Sequence, residues 1–296
     1  MVDLHTHSNA SDGDFSPSLL VRKAVEHGLG AIALTDHDTI KGLEEARTEA
    51  SALGIRFIPG IEININWNVE KYRSDVPGLG PGGEFHLLGL GINNPTPAFL
   101  AAVRELSRRR TERNREIMEK MRKYKIEASW EELLADHPHK GAGGYSLGRP
   151  HFANFLIKRK IVKNQEQAFA RYLGVGKPLY VPKEGLIFEE AAELIRESGG
   201  ISVLAHPMSL FIAWGRLSEI LKELRNRGLM GLEAWHPIAK PGSCRRLESL
   251  GKSLGLFITE GSDFHGEIRP GRKLGFSGRG REIKDAVLEA IPELLS

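Results

Sequence analysis

Short aliphatic runs alternate along this chain with longer amphipathic ones, and histidines or acids recur where the aliphatic runs end. The runs at 2–6, 31–35, 56–65, 85–92, 201–206, 228–235 and 255–263 have the length and β-branched or aliphatic content of buried strands. Between several of them lie helices with readable ends. "SPSLLVRKAVEHG" offers Ser16 as N-cap, Pro17 at the first helical position and Gly28 as stop. "TIKGLEEARTEASALG" and "IFEEAAELIRESGG" likewise end at glycine. Strands that alternate with helices argue for an α/β body with a parallel sheet or barrel.

The alternation stops between about Pro97 and Lys177. Here "TPAFLAAVRELSRRRTERNREIMEKMRKY", "SWEELLAD", "GRPHFANFLIKRK" and "NQEQAFARYLG" read as helices, with no convincing strand among them. The expected organisation is a first barrel part at 1–96, a helical insertion at 97–177 and a second barrel part at 178–296. With 296 residues and 41% hydrophobic side chains the chain can bury a core for such a body. The turn-rich stretch 67–84 is long for a loop, as lids often are.

The chemistry-bearing side chains follow the same rhythm. In "LHTH" His5 and His7 are two apart at a strand end, so their side chains share a face, and Asp12 follows in the loop. "LTDHD" sets Asp36 and His37 after the second strand, "PGIEI" sets Glu62 in the third and "EFHLLG" sets His86 in the fourth. "LAHP" contributes His206 after the fifth, and "GSDFHG" contributes Asp263 and His265 after the seventh. Any one of these reads as a turn residue or a core histidine. Their recurrence on successive strand ends reads as a shared metal site, because the carboxyl ends of barrel strands form one rim where active sites are assembled. Mixed imidazole and carboxylate donors suit zinc, manganese or iron. The remaining histidines have ordinary roles: His27 in a last helical turn, His137 and His139 in a solvated loop. His236 and Glu233, near a strand end, stand in reserve as rim residues.

Composition excludes more than it specifies. A formal charge of +3 does not mark a nucleic-acid binder, and no stable DNA binding is expected. The one cysteine, Cys244, forms no internal disulfide and no thiolate zinc cluster. Neither a signal peptide nor an apolar run near the ~20 residues of a membrane helix is visible, so a cytoplasmic protein without membrane contact is expected.

Taken together, "HTHSNASDG", "LTDHDT", "PGIEI", "LAHP" and "GSDFHG" resemble the metal motifs of the PHP (polymerase and histidinol phosphatase) phosphoesterases. The resemblance implies a distorted seven-stranded (β/α) barrel carrying metals on its rim. The nine-residue set, with an insertion containing "GRPHFANFL", is most similar to the subgroup of nucleoside 3′,5′-bisphosphate phosphatases and 5′→3′ exoribonucleases of the RNase AM type. That implies three divalent ions, manganese first, with iron or zinc as alternatives. His5, His7, Glu62 and Asp263 would hold one, and Asp12, His37 and His265 another. Glu62, His86 and His206 would hold the third, with Glu62 bridging.

The implied reaction is attack by a metal-bridging hydroxide on the phosphate ester of a small nucleotide or a short 5′-phosphorylated RNA. Such a site needs no Ser or Cys nucleophile, and Asp36 is at most an auxiliary acid or base. For the rest of the substrate the candidates are Arg149 and Ser146, beside the start of a helix, and Arg110 and Arg113 on the basic helix "RELSRRRTERNREIMEKMRK". Two alternatives stand beside this reading: a histidinol-phosphate-type phosphatase and a non-catalytic PHP binding module. The oligomeric state is not legible.

Overall fold

The computed structural model describes residues 1–66, 84–134 and 147–295, so all of the lid-like stretch 67–84 except Glu84, together with Ser146, His137 and His139, lies outside the described residues. Seven strands form one sheet in sequence order: β1 (Val2–Asp3), β2 (Ala31–Leu34), β3 (Arg56–Asn64), β4 (His86–Leu90), β5 (Ile201–Leu204), β6 (Gly231–Trp235) and β7 (Phe257–Glu260). Its two ends meet through a bridge between Thr6 and Phe264, where His7 N–H donates to the Phe264 carbonyl at 2.9 Å. The result is a nearly closed barrel with helices around it.

Helices α1 (Pro17–Glu26), α2 (Leu43–Leu53), α7 (Phe188–Glu197), α8 (Trp214–Asn226) and α9 (Pro241–Ser253) cover the outside. Their ends follow the local chemistry: Ser16 Oγ accepts from Leu19 N–H at 3.2 Å, and Gly54 closes α2 in the left-handed conformation. On α8, Leu217, Ile220, Leu221 and Leu224 make one buried stripe at the i, i+3, i+4, i+7 spacing. Each such side chain contributes roughly 1.5–3 kcal/mol by leaving water.

The sheet is not wholly parallel, contrary to the simplest reading of strand–helix alternation. β4 runs antiparallel to β3 and β5, with Gly60 beside Leu90 and Asn64 beside His86. Antiparallel neighbours, unlike parallel ones, need no helical crossover between them. This reversal places His86 at the rim: it opens its strand, yet lies beside the carboxyl end of β3.

From the far end of β4 the chain returns along α3 (Pro97–Lys123), capped by Thr96 and about 40 Å long. The first half of α3 buries Phe99, Val103 and Leu106 in the barrel's outer core. Its second half buries Ile117, Met118 and Met121 in a separate apolar cluster with Phe152, Leu156, Leu173 and Leu179. This second cluster is enclosed by α4 (Trp130–Leu134), α5 (Arg149–Lys158), α6 (Gln165–Ala168) and a π-turn at Phe169–Leu173. Between the two cores, α3 buries Arg110, Arg113 and Asn114 at the level of the barrel rim.

Candidate metal centre

The rim gathers all nine residues singled out from the sequence, and every one is buried. Glu62 stands at the middle. Its Oε1 lies 2.9 Å from both His86 Nδ1 and His206 Nε2, and its Oε2 lies 2.9 Å from His37 Nδ1. The same Oε2 is 3.3 Å from His7 Nε2 and 3.4 Å from His5 Nε2. Asp263 Oδ1 adds contacts to His7 at 3.2 Å and His5 at 3.6 Å. On the outer side Asp12 Oδ1 lies 3.2 Å from His265 Nε2, 3.8 Å from His37 Nε2 and 3.9 Å from His7 Nδ1.

Three sets have their donor atoms within 4.8 Å of one another: His7, Asp12, His37 and His265; His5, His7 and Asp263; and His37, Glu62 and His86. His7 and His37 each belong to two of these sets, so geometry alone groups them more loosely than the division implied by the resemblance. The atoms meet the test of a cation site in a second way. His7 Nδ1 is buried with its nearest carboxylate oxygen 3.9 Å away, and His37 Nδ1 and His265 Nε2, though 2.9 Å and 3.2 Å from carboxylate oxygens, are not aligned for a hydrogen bond to any described residue. Buried polar atoms are rarely left so, and lone pairs that converge from several elements suit a shared cation.

The rings are held from behind. Glu233, fully buried on β6, accepts from His5 Nδ1 at 2.9 Å through one oxygen and from His206 N–H at 2.7 Å through the other. His265 Nδ1 donates to the Asp263 carbonyl at 2.8 Å, and His206 Nδ1 meets Ser209 Oγ at 2.7 Å. A carboxylate or carbonyl behind the ring fixes tautomer and direction, leaving the other nitrogen for a metal. The backbone is strained here as well: Asp38, His206 and Asp263 have φ of 54°, 27° and 49°. Residues held in this region are stabilised by their surroundings and cluster at functional sites.

Gly261 is part of the same packing. A Cβ on it would lie 2.4 Å from His5 Cβ and 2.7 Å from Glu233 Oε1, so the chain leaving β7 can pass His5 only as glycine. Gly261→Ala is expected to cost about 1–3 kcal/mol of stability, the range of overpacked cores. It should also weaken divalent-ion binding, because the His5–Glu233 pair must shift. Denaturant titration and metal analysis would check both, and unchanged values would contradict this packing.

Without metal, protons supply part of the missing charge. Against burial, which disfavours a charged ring, hydrogen bonds to Asp263 and Glu62 raise His7 to about 9. His5 is likewise raised, burial being overcome by Glu233, Glu62 and Asp263. Burial lowers His37 to about 4, and burial with Arg269 and His7 nearby lowers His265 to about 3.

Asp36 has a different place from the auxiliary acid or base considered for it. It accepts from Ser8 N–H at 2.8 Å, Ser8 Oγ at 2.6 Å and Ser11 Oγ at 2.5 Å, clasping the loop that carries Asp12. A carboxylate so engaged has no free oxygen directed at a substrate.

A cavity of about 430 Å³ opens onto the cluster. Arg110 reaches it from α3, with its guanidinium 3.1 Å from Asp38 Oδ2. Arg149 reaches it from the start of α5, paired with Glu84 and lying 5.6 Å and 5.7 Å from the Phe169 and Tyr180 ring centres. Arg113 is not brought to this wall: its Nε donates to the Val181 carbonyl at 3.1 Å, and burial beside Arg110 lowers it to about 10.

Sequence reasoning missed Lys183, Arg269 and Arg272, which also line the cavity, and it left His236 in reserve. Lys183 Nζ is 2.7 Å from Glu84 Oε2 and 3.3 Å from His86 Nε2. Arg272 pairs with Asp263 Oδ2 at 2.5 Å, and His236 Nε2 is 3.1 Å from the same oxygen. Arg269 lies 3.5 Å from Asp263 and 3.6 Å from Asp12. The one available signal was the basic "EIRPGRK" directly after the last metal motif.

The PHP domain family model matches residues 3–173, more than half of the chain, and the chain belongs to that family. It is 34% identical to the 5′-3′ exoribonuclease Rnm of Salmonella typhimurium, across 93% of this chain and 89% of the relative. It is 29% identical to the 3′,5′-nucleoside bisphosphate phosphatase of Chromobacterium violaceum, across 93% and 90%. Among solved structures, a candidate metal-dependent phosphoesterase of Bifidobacterium adolescentis superposes with a TM-score of 0.80 at 26% identity, over 99% of this chain and 96% of the other.

Proposed function

We propose that this chain is a metal-dependent phosphoesterase that hydrolyses phosphate esters of small nucleotides, nucleoside 3′,5′-bisphosphates or the 5′ ends of short RNAs. The observation that carries the reading is the convergence of nine buried imidazoles and carboxylates into one cluster that opens, through six of them, onto a cavity with a cationic wall. The relatives named above, which act on RNA ends and on bisphosphates, support the same direction.

The residues proposed to hold the ions are His5, His7, Asp12, His37, Glu62, His86, His206, Asp263 and His265. Three divalent ions, manganese by preference, agree with the donor types. Bound there, such ions act as Lewis acids toward water and the phosphoryl group. The protein's own work is positional. Glu233 aims His5 and fixes the backbone of His206, while Arg272 and His236 hold the outer oxygen of Asp263, leaving the inner one facing His5 and His7. Arg110, Arg149 and Lys183 attract and orient phosphate groups, and Glu84, the partner of Arg149 and Lys183, is exchanged for the incoming anion. The segment 97–177 serves as a cap that brings two of these cations to the barrel. Among the described residues no helix is long and apolar enough to cross a membrane.

The test is phosphate release with Mn²⁺ from adenosine 3′,5′-bisphosphate, histidinol phosphate and a 5′-phosphorylated RNA oligomer, on wild type and on Arg149→Ala. Turnover of a nucleotide substrate is expected, and the variant should raise KM for the bisphosphate about tenfold or more, as loss of a charge-assisted contact would. Its KM for a simple aryl phosphate should move much less. Equal effects on both would remove Arg149 from substrate recognition, and silence on both nucleotide substrates would overturn the nucleotide reading.

A further inference from the structure

We propose that a small pocket between α3 and the chain at 181–185 is a binding site for a monatomic anion, chloride or another halide. Its wall includes Arg109, Arg110 and Arg113 of α3, with Asp38, Asn64 and Lys183. It shares Arg110 and Lys183 with the metal cavity but is separate from it.

Three of these cations have carboxylate partners. Arg109 Nε is 2.9 Å from Glu105 Oε1, Arg110 Nη1 is 3.1 Å from Asp38 Oδ2, and Lys183 Nζ is 2.7 Å from Glu84 Oε2. Arg113 has none among the described residues. It is 5% exposed, its Nε donates to the Val181 carbonyl at 3.1 Å, and its Nη2 is buried without a partner. The second oxygen of Asp38 accepts from Asn64 N–H at 3.0 Å, and Glu184, which also borders the pocket, is exposed and forms no ion pair with these cations. A guanidinium lowered only to about 10 stays charged at neutral pH. Charges buried this far are paired in folded proteins, because leaving water without a counter-ion is costly. The missing partner is an anion.

The pocket's volume, about 10 Å³, limits which one. That is roughly the space of a single water molecule or a single small ion, too little for phosphate or an organic acid. A water would satisfy the Nη2 donor and leave the charge uncompensated. A halide does both. The Asn64 amide, 7% exposed and without a side-chain hydrogen bond among the described residues, offers it a second donor. The site lies where the cap meets the barrel: Arg109 Nη1 and Arg113 Nε hold the carbonyls of Gly185 and Val181, and Asn64 ends β3. An anion here fastens α3 to the barrel and screens Arg110 from the like charge of Arg113. None of this depends on which ester the metal cavity hydrolyses.

The experiment compares thermal unfolding of Mn²⁺-loaded wild type, Arg113→Met and Arg149→Met in about 150 mM sodium chloride and in sodium gluconate of equal ionic strength, gluconate being too large for the pocket. For a Kd of about 10 mM, chloride is expected to raise the wild-type Tm by about 3 °C or more over its gluconate value. Arg149→Met, altered in the metal cavity alone, should keep that rise, and Arg113→Met should lose it. A wild-type crystal soaked in sodium bromide should show an anomalous-scattering peak within hydrogen-bonding distance of Arg113 Nη2, a result that needs no variant to fold. Absence of the chloride-dependent rise in wild type, its persistence in Arg113→Met or its loss in Arg149→Met would each overturn the proposal. So would a water without anomalous signal at that position.

Discussion

Glu62→Gln is expected to lower metal-dependent phosphate release by at least about a thousandfold, equivalent to about 4 kcal/mol of transition-state stabilisation. The side chain is nearly isosteric, so the fold should survive. What changes is the charge of a group whose two oxygens approach five histidines, three of them at 2.9 Å. Loss of a partner behind a metal ligand already costs 10–100-fold in affinity or activity. Loss of the carboxylate charge at the middle of the cluster should cost more. Metal analysis and circular dichroism on the same sample separate the effects: reduced ion content with an unchanged spectrum is expected. A variant that kept full metal content and more than a tenth of the activity would remove Glu62 from the centre.

Chelation should abolish turnover, and Mn²⁺ should restore it, with a shift in thermal stability that depends on pH. Each ion at a hundredfold excess over its Kd contributes about 2.7 kcal/mol to the folded state. At roughly 2–4 °C per kcal/mol, two or three ions raise Tm by about 10 °C or more. The pH dependence follows from His5 and His7, whose folded values are raised in the metal-free protein, His7 to about 9. Stability from such a group is fully present below its unfolded value near 6.5 and is lost as pH rises through the folded value. The lowered values of His37 and His265 act in the opposite direction only at the lower end of that window, because their unfolded rings are half protonated near pH 6.5 and almost wholly neutral about one pH unit higher. The metal-free protein should therefore lose stability between about pH 6.5 and 9. Ions displace those protons more easily over the same range, so the Tm difference between the two forms should widen. Scanning calorimetry of both forms at pH 6.5, 7.5 and 8.5 would check this; a constant difference would contradict the arrangement of His5 and His7.

Much of this site was legible because its residues report their own position. Seven aliphatic runs became seven strands, each shorter than its run by one to five residues, since the last residues of several runs bend out of the sheet to deliver a side chain. His5 and His7 share a face through the period-2 alternation of an extended chain, and Ser16, Pro17 and Gly54 mark helix ends by local bonding alone. Lys183, Arg269 and Arg272 were not legible in the same way. They sit outside the strand–helix rhythm, and nothing in a basic side chain's neighbours in sequence says whether it turns to solvent or to a cavity. Arg110 and Arg113 show the limit well: three residues apart on one helix, both buried, only one reaches the cavity.

By itself the sequence determined which residues can bind a cation, because donor chemistry belongs to the side chain, and where strands and helices begin, because those signals span a few residues. Only the tertiary structure decided how they meet. The reversal of β4 brings the first residue of one strand beside the ends of its neighbours, and the reach of α3 across two apolar cores sets Arg110 against the rim. Strand direction and helix placement follow from packing between segments far apart in the chain, and no local pattern records that packing.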